Sequence, residues 1–277
     1  MDRAGFEKAL RDYIQNSRDN FVQKEAALRP DLAGMRIYDE PLIGYASAGD
    51  PYFEEAKRPE IIGAHFLAPA QWLPGAKTVI SVFLPFSLQV REANRRDLSW
   101  PADEWLHARY EGQIFQNSIC RFADELLRKE GFSSAVPMID SRFKSGSPII
   151  SDKKEQGHYT SNWSERHAAW AAGLGTFGLS KGLITRKGVA GRYISIITSA
   201  AFEPDKRHYI GISDYCINCG DCVRNCPAKA ITMEKGKMHY PCSEFLDATM
   251  EKCKPRYGCG KCQVNVPCEN KAPGISI

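Results

Sequence analysis

Residues 216–227 read CINCGDCVRNCP, and the chain continues with cysteines at 242 and 253, CGKC at 259–262 and a last cysteine at 268. Nine of the ten cysteines in the 277-residue chain lie in this stretch. The first four follow C-x2-C-x2-C-x3-C-P, the spacing with which bacterial ferredoxins ligate iron–sulfur clusters. Cys216, Cys219 and Cys222 wrap one [4Fe-4S] cluster. Cys226, turned away by Pro227, serves a second. A first cluster therefore predicts another, and Cys242, Cys259 and Cys262 are available to complete it.

Other uses of these cysteines fit less well. A disulfide framework belongs in a small secreted chain, and MDRAGFEKALRDY at the N-terminus has neither the apolar run of a signal peptide nor a twin arginine. Zinc takes separated C-x2-C pairs, not three cysteines two apart followed by Cys-Pro. Charge agrees with clusters. Residues 206–277 carry eleven Lys/Arg against seven Asp/Glu, which accounts for the net +4 of the whole chain. That excess compensates the negative charge of thiolate-ligated iron–sulfur centres and argues against a nucleic-acid surface.

A cluster module of about 70 residues leaves about 205 for something else, so two domains are expected, 1–205 and 206–277. No apolar run reaches the length of a membrane span. A cytoplasmic protein is predicted, with no membrane partner and with room for a homo-oligomer.

Along the chain, 2–28 reads as a helix with a short stripe of Phe6, Leu10, Tyr13 and Ile14. Residues 36–38 and 42–45 read as extended, 50–74 as an ordered loop, and 78–84 as a buried strand ended by Pro85. The strongest helix is 102–130, with Ile114 or Phe115, Ile119, Phe122 and Leu126 on one face and Gly131 as cap. Cys120 on or beside that face reads as a core residue. Residues 136–139 read as a short strand, 141–161 as a surface loop and 192–201 as another strand.

Residues 173–178, GLGTFG, form a G-x-G-x-x-G, but the preceding ERHAAWAA is helical in composition and no acid follows. A dinucleotide site needs a strand before and a helix after, with an acidic residue about 20 on, so NAD binding is not predicted. Gly173 instead caps a helix, and Gly173, Gly175 and Gly178 let backbone approach something bulky. No Asp or Glu occurs from 166 to 202. Arg166, Lys181, Arg186, Lys187 and Arg192 in that window either hold a phosphate or carboxylate or form a solvated basic face. His167 reads equally as a core and as a functional residue.

SERHAAWAAGLGTFG, then GLIT, then G-x-A-G-R, resembles the glycine-rich segment of the epoxyqueuosine reductase family, and the double cysteine motif resembles that family's C-terminal module, which reductive dehalogenases share. The resemblance covers about 137–270. It implies an α/β (α+β) fold with a nitroreductase-like core and a ferredoxin-like module carrying two clusters. It implies cobalamin held between core and clusters, with Arg166, Lys181, Arg192 and the glycines at its rim, and electrons from a low-potential donor of ferredoxin or flavodoxin type. It implies Cys268 as the residue that closes the first cluster, although five residues, not three, separate it from Cys262, and Cys253 is the alternative. It places Asp140, in MIDS, as proton donor, with pairing to Arg142 or Lys144 as the competing reading. Longer family members continue into helical repeats that hold tRNA; this sequence stops at Ile277, which makes tRNA a doubtful substrate. The rival functions are a cytoplasmic reductive dehalogenase and an electron carrier that reduces a partner's corrinoid. Retained cobalamin separates the enzymes from the carrier.

Overall fold

The computed structural model describes residues 1–146 and 160–275. Most of the surface loop expected at 141–161 therefore lies outside the described residues. In chain order the elements are α1 (Arg3–Asn16), β1 (Leu42–Ser47), α2 (Tyr52–Glu55), α3 (Pro69–Trp72), β2 (Thr78–Pro85), α4 (Leu88–Arg95), α5 (Asp103–Lys129), β3 (Ser134–Ala135), α6 (Glu165–Ala171), β4 (Gly175–Phe177), β5 (Leu183–Thr185), β6 (Gly191–Thr198), α7 (Asp221–Arg224), β7 (Ile231–Thr232), β8 (Gly236–Lys237) and α8 (His239–Cys253).

The organising sheet is antiparallel throughout, in the order β1-β2-β6-β3. Every residue of β2 is buried, because helices cover one face and aromatic loops the other. Side chains alternate across a strand. Ile80, Val82 and Leu84 join Ile194 and Ile196 against α1 and α5, where Phe6, Leu10, Ile14, Phe115 and Ile119 pack. Val79 and Ile197 face the other way, toward α6 and the 52–73 segment, where Phe53, Phe66, Trp72 and Trp163 gather. The class is α+β, as expected.

Helix α5 follows the predicted stripe with Phe115, not Ile114, inward; Ile114 is exposed. Gly131 ends it at φ 81°, a left-handed turn that costs other residues a Cβ clash. Cys120 is fully buried in the core.

Three local expectations shift. The first helix stops at Asn16, not near 28, because Ser17 turns extended and Asn20 is buried as a bracket. The Asn20 amide donates to the carbonyls of Ile14 and Tyr38 and accepts from Tyr38 N–H at 2.8 Å. The strand expected at 136–139 is a 3-10 turn beginning at Pro137, and the pairing with β6 falls two residues earlier. Pro137 has no N–H to give a ladder, so the strand ends before it. The ordered loop expected at 50–74 contains two single-turn helices, α2 and α3, whereas Pro85 ends β2 as expected, as its last residue opposite Gly191.

The G-x-G-x-x-G is not a dinucleotide turn. Helix α6 leads into it, Gly173 at φ 76° caps that helix through its N–H to Trp170, and β4 starts at the second glycine. A Cβ on Gly175 would lie 2.0 Å from the Ile184 carbonyl oxygen, so this glycine permits the tight β4–β5 pairing.

Candidate functional site

The cysteines fall into two groups. Asn218 at φ 51° and Gly220 at φ 77° bend the 216–222 segment, and Cys216, Cys219, Cys222 and Cys268 line one small pocket with Gly178, Ile184 and Val266. Cys268 arrives there because its carbonyl accepts from Val189 N–H at 2.9 Å, which ties the C-terminal segment to the β5–β6 turn. Cys226, Cys242, Cys259 and Cys262 sit together in the wall of a second, much larger cavity. Cys253, at the end of α8, lines neither.

The 259–262 loop is shaped from beneath. Gly260, at φ 68°, lies against Trp105, and a Cβ there would be 1.9 Å from the indole ring. Lys261 is fully buried and donates to the carbonyl and Oδ1 of Asn94 at 2.8 and 2.7 Å, while Asn94 Nδ2 donates to the Cys259 carbonyl at 2.9 Å.

Burial, reinforced by neighbouring cysteines, pushes the Cys222 thiol up to about 11 and those of Cys259 and Cys268 up to about 12. Thiols held this way prefer to stay neutral. A bound cation reverses the preference, since a coordinating thiol is deprotonated outright. Four soft donors around each pocket fit an iron–sulfur cluster. Among the described residues, no three His, Cys, Asp or Glu side chains converge on a site for a single metal ion.

The larger cavity has a volume of about 550 Å³. The second cysteine group forms one side, with α8 side chains Phe245, Leu246 and Met250; Trp105, Leu183, Tyr193, Arg166 and Arg192 form others. Burial depresses the Arg166 pKa, with Arg192 adding to it and Tyr193, Cys262 and Cys242 opposing it. Its Nη1 donates to the Lys181 carbonyl at 2.7 Å. Arg192 Nη2 donates to Gln113 Oε1 at 2.6 Å, and Arg109 donates to the Tyr257 hydroxyl at 2.8 Å. Two buried oxygens on cavity-lining residues, Glu165 Oε2 and Gln263 Oε1, have no hydrogen-bond partner among the described residues.

Of the residues expected at a cofactor rim, Arg166 and Arg192 line this cavity and Lys181 adjoins it through its carbonyl. Gly178 lines the first cysteine pocket instead, and neither pocket's lining includes Gly173 or Gly175, whose places are set by the helix cap and the β4–β5 contact. Asp140 lines neither. Arg142 holds its carboxylate through Nε at 2.9 Å and Nη2 at 2.6 Å, and those hydrogen bonds keep its pKa below the ordinary range.

Glu165 and His167 titrate in opposite senses. Burial pushes Glu165 up to about 8, against weaker opposition from Ser195, Trp163 and Arg192. Burial pushes His167 down to about 3, with Arg166 adding to it. The folded chain thus keeps a proton on Glu165 that the unfolded chain loses above the ordinary carboxylate range, so stability falls as pH rises toward about 8. It lacks a proton on His167 that the unfolded chain gains below the ordinary imidazole range, so stability falls as pH drops. Between about pH 5 and 6 the two slopes, each about 1.4 kcal/mol per pH unit, oppose each other. Urea unfolding of Glu165→Gln is expected to show stability rising with pH in that window, and His167→Gln to show it falling. Variants that both keep the wild-type slope contradict these protonation states.

A 4Fe-4S binding domain family model matches residues 209–232. The chain aligns with epoxyqueuosine reductase solved with an epoxyqueuosine-modified tRNA stem loop, at 20% identity and a TM-score of 0.51, over 82% of this chain and 61% of that one. This chain has the epoxyqueuosine reductase fold. The catabolic reductive dehalogenase NpRdhA, solved with 3-bromo-4-hydroxybenzoic acid, shares it at 16% identity and a TM-score of 0.52, over 83% of this chain and 30% of that one. A tetrachloroethene reductive dehalogenase of Desulfitobacterium hafniense is 40% identical over 65 residues, which are 23% of this chain and 12% of that protein. The chain thus spans about an eighth of its curated relatives and under two thirds of the reductase chain.

Three residues at the site escaped sequence reading. Lys261 and Asn94 buttress the second cysteine group across a separation no local pattern reveals. Glu165 had a signal, since it is the last acid before the acid-free window, but its surroundings depend on β6, which brings Ser195 and Arg192 to it.

Proposed function

We propose that the chain is an iron–sulfur oxidoreductase of the epoxyqueuosine reductase type. Cys216, Cys219, Cys222 and Cys268 would hold a first cluster, to which a low-potential donor of ferredoxin or flavodoxin type would supply electrons. Cys226, Cys242, Cys259 and Cys262 would hold a second, beside the cavity that would receive a cobalamin. The observation that carries this reading is that one complete set of four cysteines forms the wall of a cavity of about 550 Å³, while the other set stands apart.

The cavity residues suit a large, amphipathic, partly polar cofactor. Arg166 and Arg192 supply hydrogen-bond donors for amide or phosphate oxygens. The unpartnered Gln263 Oε1 accepts from an amide. Trp105, Leu183 and Tyr193 exclude water from the apolar face. Cobalamin bound there supplies a low-potential cobalt for the reductive step. The second cluster's cysteines and Arg166 fix how close a substrate and an electron carrier approach each other.

The test is anaerobic reconstitution followed by iron and cobalt analysis and EPR, then turnover with reduced methyl viologen on an epoxyqueuosine-modified tRNA stem loop and on 3-bromo-4-hydroxybenzoic acid. About eight iron and one cobalt per chain are expected, with reduction of the stem loop. Debromination alone would assign the chain to the dehalogenases. Two intact clusters with no cobalamin uptake would sink the corrinoid mechanism and leave an electron carrier.

A further inference from the structure

The acid expected from the resemblance is Asp140, and its carboxylate is occupied: Arg142 donates to it from Nε, Nη2 and the backbone N–H, at 2.9, 2.6 and 2.9 Å. Such a pair favours the ionised form, which has no proton to give. Asp140 is also absent from the cavity lining. Glu165 is the reverse case. It starts α6, lines the cavity with Arg166 and Arg192, and has an Oε2 shut off from solvent with no partner. Ser195 and Trp163 offer its carboxyl side-chain hydrogen bonds, which favour the ionised form without overcoming burial, and the Trp163 indole also donates to the Ser195 hydroxyl at 2.8 Å. The charged or titratable groups that face Glu165 are Arg192 on β6 and Cys120 on α5. Arg192 is directed to Gln113 and Gln116, at 2.6 and 3.4 Å, and Cys120 is a buried neutral thiol. Among the described residues Glu165 makes no ion pair, and Arg192 opposes the effect of burial without overcoming it, so the group is more stable in this position as the carboxylic acid.

We propose that Glu165, not Asp140, is the catalytic acid that delivers a proton into the cavity during the reductive step. This rests on the function proposed above. With an epoxide as substrate, both C–O bonds break and a C=C bond forms. Two electrons arrive from the low-potential one-electron carrier, and the oxygen leaves as water with two protons. Glu165 supplies the first proton and becomes a carboxylate; solvent supplies the second and then reprotonates Glu165. Burial pushes the Glu165 pKa up to about 8, so the acid form is present at neutral pH and the rate should decline above about 8.

The experiment has two arms. The first needs neither substrate nor cobalamin: infrared difference spectra of the cluster-reconstituted chain between about pH 6.5 and 9.5. A protonated-carboxyl band that titrates near 8 and is missing in Glu165→Gln is expected; Asp39, whose pKa burial also raises, keeps its own contribution in both proteins. The second arm measures turnover of the epoxyqueuosine-modified stem loop in the cobalamin-loaded chain. Glu165→Gln keeps the shape and removes the acid, so kcat should fall by at least about 100-fold with KM little changed, Glu165→Asp should recover part of it, and Asp140→Asn should stay within a few-fold of wild type. A missing infrared band overturns the proposal whatever the substrate. Full activity in Glu165→Gln, or the loss appearing in Asp140→Asn instead, overturns it as well. A wild-type chain that shows the band and leaves the stem loop intact overturns the epoxide step and the substrate reading together, while its Glu165 remains an acid.

Discussion

Replacing Cys226 with serine is expected to lower the iron content of the anaerobically reconstituted chain from about eight to about four per chain, with the remaining EPR signal that of the first cluster. Although Cys226 lies only four residues after Cys222, the fold sends it elsewhere. It is buried in a satellite core with Ala230 and Ile231, beside Cys242 and Cys262, and its Sγ accepts from Ala230 N–H at 3.2 Å. Cys222 touches that satellite core as well, but it lines the first pocket with Cys216, Cys219 and Cys268, which Cys226 does not. Serine cannot replace a soft thiolate at iron, and three remaining ligands leave one iron of the cubane open. The paired control is Cys253→Ser, which should keep all the iron because Cys253 lines neither pocket. Iron lost from Cys253→Ser and retained in Cys268→Ser would reverse the assignment of the closing ligand.

The second large effect is on stability. Glu269→Ala should lower stability by about 3–5 kcal/mol and the melting temperature by on the order of 10 °C. Glu269 is 3% exposed and accepts from Arg91 Nη1 at 3.1 Å, Arg95 Nε at 2.9 Å and Asn265 N–H at 2.8 Å. Alanine would strand Arg91, itself buried, without its counter-charge, and would free the C-terminal segment from α4. That segment carries Cys268, and its backbone crosses the β5–β6 turn so closely that a Cβ on Gly188 would lie 2.2 Å from the Glu269 carbonyl oxygen. The first cluster should therefore be lost more readily than the second on dilution into chelator. Glu269→Gln, which keeps an acceptor for Asn265, should cost less. Melting unchanged in Glu269→Ala, or equal loss of both clusters, contradicts the anchoring role.

Sequence alone determined the iron–sulfur chemistry. Cubane ligands two residues apart reach one cluster within a single turn of chain, so local spacing carries the information. It determined α5 and β2 for the same kind of reason, since a side-chain period and a run of buried β-branched residues are local quantities. It also excluded the dinucleotide reading of 173–178, because the helical composition before the glycines and the acid-free window after them are visible without coordinates. Only the tertiary structure brings Cys268, and not Cys253, beside Cys216, Cys219 and Cys222. Cys268 reaches this group through a backbone bond to Val189 and an ion-paired neighbour nearly 180 residues from its partners, a closure no spacing rule encodes. It likewise separated the acids: Asp140 pairs with Arg142 and is absent from the cavity lining, while Glu165 lines the cavity with Ser195 and Arg192 of β6 acting on it. Whether a carboxyl is an acid or an anion depends on what the fold packs against it, and that is set by contacts between residues distant in sequence.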